Sequence, residues 1–269
     1  MWAAFWDALV EVGGRKIVVA LLLLALGVGF LFNRGVKFET LAGVKVIYFG
    51  PVSMGPWAFG VPQVLAQATV VSTTIWVMLM IFAGAPQFVV MLEKGWRELT
   101  FSKGTPRWQL LLARFTSLTL LFAALCLTTC LPIALRTWWQ TGISPLSIFG
   151  GVAIGSFIFA SLLSTSALAS MAGTGGVALP MMAPIAGFVL SQFLLDRQRE
   201  VFPYITSEFW RGVIDWLYYI FPKCTELQNA ASAFVQSSTL PTSWPVWTTG
   251  LFTLATMVTT LWILERKSF

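Results

Sequence analysis

The chain has 269 residues, 57% of them hydrophobic and only 10% charged, with a formal net charge of +6. Soluble domains run nearer about 45–50% apolar and about 25% charged. This balance, with apolar runs near or above the ~18–20 residues a bilayer core demands, describes an integral membrane protein. The basic residues are scattered over loops and span ends, which gives no sign of nucleic acid as a partner.

The first stretch, 1–16, places Trp2, Phe5, Trp6, Leu9 and Val10 on one helical face and Asp7, Glu11 and Arg15 away from it. It is expected to be an amphipathic helix lying in the membrane interface. Acidic residues, bulky aromatics and the lack of a basic leader before the first apolar run argue against a cleaved signal peptide. The expected fold is an all-α single transmembrane domain over 1–269 with six spans. The first runs over 17–33. A Gly/Pro-rich connection containing "YFGPVSMGPWAFGVPQ" follows, too rich in breakers for a long helix.

The second span covers 63–91 with Pro86 near its end, and the third covers 109–135 with Trp138 and Trp139 beyond it as interfacial aromatics. The fourth, 147–171, carries Gly151 and Gly155 four apart and Ser166 and Ser170 at the same spacing, positions that let helix backbones approach closely. The fifth, 177–195, is interrupted by Pro180 and Pro184, and the sixth covers 247–264. Between these last two, 196–246 holds two short helical candidates, "SEFWRGVIDWLYYIFP" and "TELQNAASAFVQ". They read as a re-entrant or interfacial hairpin on the extracytoplasmic side, packed among the spans. Basic residues divide almost evenly between the two sides. Most of those on the side of the termini lie in short segments close to span ends, while Arg197, Arg199, Arg211 and Lys223 of the other side lie in the long connection. The positive-inside bias acts through short loops, so both termini are expected in the cytoplasm.

Catalytic chemistry is sparse. No histidine is present, which removes His-ligated haem or zinc and any Ser–His or Cys–His dyad. Cys126, Cys130 and Cys224 form no disulfide framework and read as small buried hydrophobes. The spans hold no Asp, Glu or Lys away from their ends, as a proton-coupled carrier needs. Arg114, about one turn into the third span, is expected to snorkel to the surface. Gln63 and Gln67 with Thr69 and Thr73, and the stripe Thr249, Thr253, Thr256 and Thr260, are expected to bond to helix backbones rather than line a path. No G-x-x-x-x-G-K-[ST] loop holds ATP. Any energy must arrive through a contact on the cytoplasmic side.

One segment suits such a contact. "LEKGWRELTFSKGTPRWQLLLARF" packs Glu93, Lys94, Arg97, Glu98, Lys103, Arg107 and Arg114 between two long apolar runs. Trp96 and Leu99 fall on one side of it, and Gly104 and Pro106 break the helix. The pattern of Glu93, Gly95, Leu99, Ser102, Arg107, Leu110, Leu111, Leu112 and Arg114 resembles the intracellular stretch of permeases of the type-2 ABC exporter family. Members commonly carry proline where this chain has Gly104. The rest of the layout is similar to that family in architecture only.

The resemblance implies that 93–108 is a cytoplasmic coupling segment, with Glu93, Lys94, Gly95, Trp96, Arg97, Glu98, Leu99, Ser102, Lys103 and Arg107 contacting a separate ABC ATPase subunit. It also implies pairing with a second permease subunit, an identical copy or a paralogue, in the cell (inner) membrane. An extracytoplasmic protein is a further candidate partner. No cofactor is expected in this chain; ATP and Mg belong to the ATPase, and this subunit is not itself an enzyme. The same segment equally serves a protein that transmits force from an ATPase to an extracytoplasmic partner without moving a solute.

Overall fold

The computed structural model describes residues 16–41, 44–90, 106–173 and 176–266. The interfacial helix expected over 1–16 lies outside these residues but for Lys16, and so does most of the coupling segment. In chain order the elements are α1 (Lys16–Gly35), β1 (Val36–Leu41), β2 (Val44–Phe49), β3 (Val52–Pro56), α2 (Trp57–Val90) and α3 (Arg107–Thr141). They continue with α4 (Ser147–Ala172), α5 (Ala178–Leu195), α6 (Glu208–Ile220), α7 (Cys224–Ser237) and α8 (Trp244–Arg266). A π-helical turn (Arg197–Val201) and a 3-10 turn (Phe202–Tyr204) link α5 to α6. The fold is mostly helical, and among the described residues α1, α2, α3, α4, α5 and α8 are the six helices long and apolar enough to cross a membrane.

Helix α4 is the hub, packing against α2, α3, α5, α7 and α8. Its small residues explain why. A Cβ added at Gly155 would stand 2.8 Å from Thr73 Oγ1 and 3.0 Å from Thr73 Cγ2, so α2 reaches the α4 backbone there. At Gly151 it would meet Val235 Cγ2 at 2.6 Å and Thr69 Cγ2 at 3.0 Å, which seats α7 and α2 together on one glycine. The Phe234 ring occupies the corresponding space over Gly150. Below this seam Phe122 and Phe159 stack with ring centroids 4.5 Å apart. Facing outward are Leu23, Leu24 and Leu31 of α1 and Leu251, Leu254 and Val258 of α8, a surface that suits lipid and not water.

The connection after the first span departs from the all-α expectation. It folds as a three-stranded antiparallel sheet in the order β1-β2-β3. Val36 pairs with Phe49, Phe38 with Ile47 and Thr40 with Lys45, so these share one face, and "VKFETL" and "VKVIYF" alternate as half-buried strands do. Gly50, at φ +62°, turns the chain between β2 and β3 in a conformation open to glycine at little cost. The sheet lies against the ends of three helices. Ile47 rests on Gly60 in the first turn of α2, and Phe38 meets Trp57 edge-on at 5.8 Å. Phe49 approaches Phe32 in the last turn of α1 at 6.2 Å, and Arg136 near the end of α3 lies 5.6 Å over Phe38.

The helices overrun several expected bounds. α2 begins at Trp57, carries Pro62 in its second turn and continues through Pro86. α3 carries Pro132 and ends at Thr141, which puts Trp138 and Trp139 inside the helix. Gly142, at φ 72°, caps it with its N–H on the Trp138 carbonyl. α1 docks on α3 through Gly29, where a Cβ would lie 2.8 Å from the Thr129 carbonyl oxygen and 3.3 Å from that of Thr128.

Candidate functional site

Glu93, Lys94, Gly95, Trp96, Arg97, Glu98, Leu99, Ser102 and Lys103 lie outside the described residues. Val90 ends α2 and Arg107 begins α3, so the charged segment bridges two helices of 34 and 35 residues. At 1.5 Å per residue each is about 51 Å long, well beyond a hydrocarbon core of about 30 Å. The Arg107 guanidinium donates to the Leu264 carbonyl at 3.2 Å, which ties the start of α3 to the last turn of α8.

Arg114 corrects an expectation. It does not reach for the surface but is 3% exposed and donates to the main-chain carbonyl of Gln87. Burial forces its charge to find an internal acceptor, and the last turn of α2 supplies one. The two helices that flank the charged segment are thus pinned together at its base.

A second polar constellation is assembled by 196–246, and sequence reasoning missed it. The Arg197 Nε donates to Asp215 Oδ1 at 2.6 Å, and its Nη1 donates to the Leu194 carbonyl at 3.0 Å. The same guanidinium lies 3.6 Å from the centre of the Tyr218 ring. The Lys223 ammonium lies 3.2 Å from that ring centre and donates to the Tyr218 carbonyl at 2.8 Å. Tyr218 is therefore flanked by two cations, and its hydroxyl donates to Glu226.

Burial first, then the hydrogen bond and charge of Glu226, push the Tyr218 phenol up to about 12, against the opposing pull of Arg197. Burial, reinforced by Arg197, pushes the Lys223 ammonium down from its ordinary value, against Glu226. A cavity of ≈ 10 Å³, about one water in size, is left among Ser191, Leu194, Phe221 and Glu226.

The corner between α6 and α7 is held by main-chain bonds to neighbouring helices. The Lys223 N–H donates to Thr249 Oγ1 at 3.0 Å, and the Thr225 N–H to Ser191 Oγ at 3.0 Å. Gln228 donates to Thr74 at 3.0 Å, so α7 packs among α2, α4 and α5. In contrast α6 buries no residue and exposes Phe209, Trp210, Trp216 and Tyr219.

The interior hydroxyls bond either back to their own helix or across to a neighbour. Thr69 donates to the Leu65 carbonyl and Thr260 to that of Thr256. Ser164 and Thr256 hydroxyls meet at 2.7 Å, and the Trp76 indole donates to Thr129 at 2.9 Å. Gln63 and Gln67 are exposed while Thr69 and Thr73 are buried, so that foursome does not converge. Cys126, Cys130 and Cys224 are free and buried. Among the described residues no group of three His, Cys, Asp or Glu is placed to share a metal ion.

No protein-family model matches the chain, and no curated protein matches it. The functional reading therefore stands on the residues themselves.

Proposed function

We propose that this chain is the membrane-spanning subunit of an ATP-driven exporter of the type-2 ABC family, worked by a separate cytoplasmic ATPase that holds ATP and Mg. The observation that carries the reading is the setting of the charged segment. It joins two helices that outrun a bilayer, and Arg114 on the Gln87 carbonyl fastens them where the segment leaves. A push on 93–108 then moves α2 and α3 as one body. Both pack on α4, and α4 carries α5, α7 and α8 with it. In this reading Glu93, Lys94, Arg97, Glu98 and Lys103 supply the charges that fit an ATPase cleft, with Trp96 and Leu99 as its apolar contact. Both termini lie in the cytoplasm, α6 lies in the opposite membrane interface on its exposed aromatics, α7 is the re-entrant arm, and two copies pair.

The test uses the chain co-expressed with its ATPase and reconstituted in liposomes. Exchanging the charges at Glu93→Arg and Arg97→Glu together is expected to preserve the fold and abolish coupling of ATP hydrolysis to movement in the membrane. Wild-type coupling in that variant refutes the reading. The second reading, force transmission to an extracytoplasmic protein without solute movement, has one observation in its favour. Thr249, Thr256 and Thr260 are buried against neighbours, so that stripe offers no wet path. Hydrolysis that is coupled in the intact assembly but moves no solute selects it.

A further inference from the structure

We infer that the outer edge of β1 is a pairing surface for β1 of a second copy, in antiparallel register centred on Phe38. Among the described residues β1 pairs on one side only, with β2. Its other edge is a row of main-chain donors and acceptors of the kind that recruits another strand. Which groups point outward follows from the hairpin. The Gly50 N–H donates to the Gly35 carbonyl at 2.8 Å, and Val36 stands opposite Phe49 one step further on. Antiparallel pairs alternate between bonded and non-bonded, so Lys37 and Glu39 bond toward β2. The main-chain groups of Val36, Phe38 and Thr40 are then turned away from it.

Two such edges fit each other. Centred on Phe38, Phe38 bonds with its equivalent and Val36 with Thr40 of the other copy, about six hydrogen bonds in all. The side chains add a reason for this register. Lys37 then faces Glu39 of the second copy and Glu39 faces its Lys37, with two opposite-charge contacts made by symmetry. Lys37 and Glu39 are exposed and, among the described residues, take part in no salt bridge within the chain. A shared membrane sets one further condition. The twofold axis of an antiparallel strand pair is perpendicular to the sheet, and two copies side by side in one bilayer need that axis along the bilayer normal. The sheet face that carries Phe38, Ile47 and Phe49 packs near the ends of α1, α2 and α3, and the inferred pairing requires its perpendicular to run along the helices.

This rests on the pairing of two copies proposed above and adds where they meet. Its test needs no ATPase, so its failure leaves the coupling reading standing. Two differently tagged full-length copies, one Lys37→Cys and the other Glu39→Cys, are placed in lipid nanodiscs and oxidised gently. In the inferred register these positions form a non-bonded pair with Cα atoms about 4.5 Å apart, inside the disulfide range. Two Lys37→Cys copies put their cysteines on a diagonal of about 7–8 Å, outside it. The mixed pair is expected to cross-link at least about tenfold faster than the like pair. In parallel, Lys37→Glu should weaken dimerisation about fivefold or more, and Lys37→Glu with Glu39→Lys should restore it. No cross-link in the mixed pair, or equal rates in both pairings, overturns the inference.

Discussion

The seam between α4 and α2 gives the sharpest test of the packing. Gly155→Ala adds one methyl, and the space for it holds Thr73 Oγ1 at 2.8 Å and Thr73 Cγ2 at 3.0 Å. Ordinary carbon contacts lie at about 3.5–4.0 Å, so the two helices must part locally by about 0.5 Å. Thr73 has little room to step aside, because its helix leaves it few rotamers and both Oγ1 and Cγ2 already face Gly155. A gap of that size forfeits about a quarter of each contact well along the seam, and overpacking of this kind costs about 1–3 kcal/mol. The expected loss is therefore about 1–2 kcal/mol, roughly a fivefold to thirtyfold shift in the unfolding equilibrium. Reversible unfolding in mixed micelles, followed by tryptophan fluorescence, reads it. The second half of the experiment is Thr73→Ala, which removes both clashing atoms. Gly155→Ala with Thr73→Ala should recover at least about 0.5 kcal/mol of the sum of the single losses. Additive losses, or a silent Gly155→Ala, would refute the close approach.

Three further outcomes are expected. Arg114→Met leaves the Gln87 carbonyl without this donor and should destabilise the chain by about 1–3 kcal/mol in the same micelle assay. The ultraviolet titration difference between wild type and Tyr218→Phe should isolate a phenol ionising at about 12. A value at the ordinary ~10 would contradict its place between Arg197, Lys223 and Glu226. Lys223, whose charged form burial disfavours, binds its proton less tightly folded than unfolded. Stability should therefore rise with pH between its lowered folded value and the unfolded value near ~10.4, and Lys223→Met should remove that rise in thermal unfolding curves.

Much of the helical framework was legible because a bilayer demands so little of a sequence beyond length and apolarity. The six spans follow from that alone, and the two short helices of 196–246 follow from their composition. The spacing of Gly151 and Gly155 foretold close approach, but only the fold could supply Thr69, Thr73 and Val235 as the groups that use it. The sheet was hidden for a physical reason. Its strands are short, and the glycines and prolines around "YFGPVSMGP" outweighed the period-two alternation of "VKFETL" and "VKVIYF". The cluster about Tyr218 was hidden differently. Arg197 precedes Asp215 by a whole loop, and nothing local joins them until α6 folds back on the end of α5. Arg114 was legible as an oddity, a cation inside a span, but the Gln87 carbonyl it bonds is a main-chain atom that no side-chain pattern announces.

The docking of α1 at Gly29 has a consequence for how the bundle is built. Pro132 has no N–H, so the Thr128 carbonyl one turn earlier lacks its ladder partner. Gly29 sits over that very stretch of α3, with the Thr128 and Thr129 oxygens against its backbone. In hydrocarbon a bare carbonyl costs several kcal/mol, whereas a glycine Cα–H can approach it as a weak donor. The first helix thus packs directly on the stretch of α3 that Pro132 leaves one bond short. Any mutation that loosens α1 should be felt first as exposed α3 backbone seeking a substitute, whether water, detergent headgroup or a neighbouring chain.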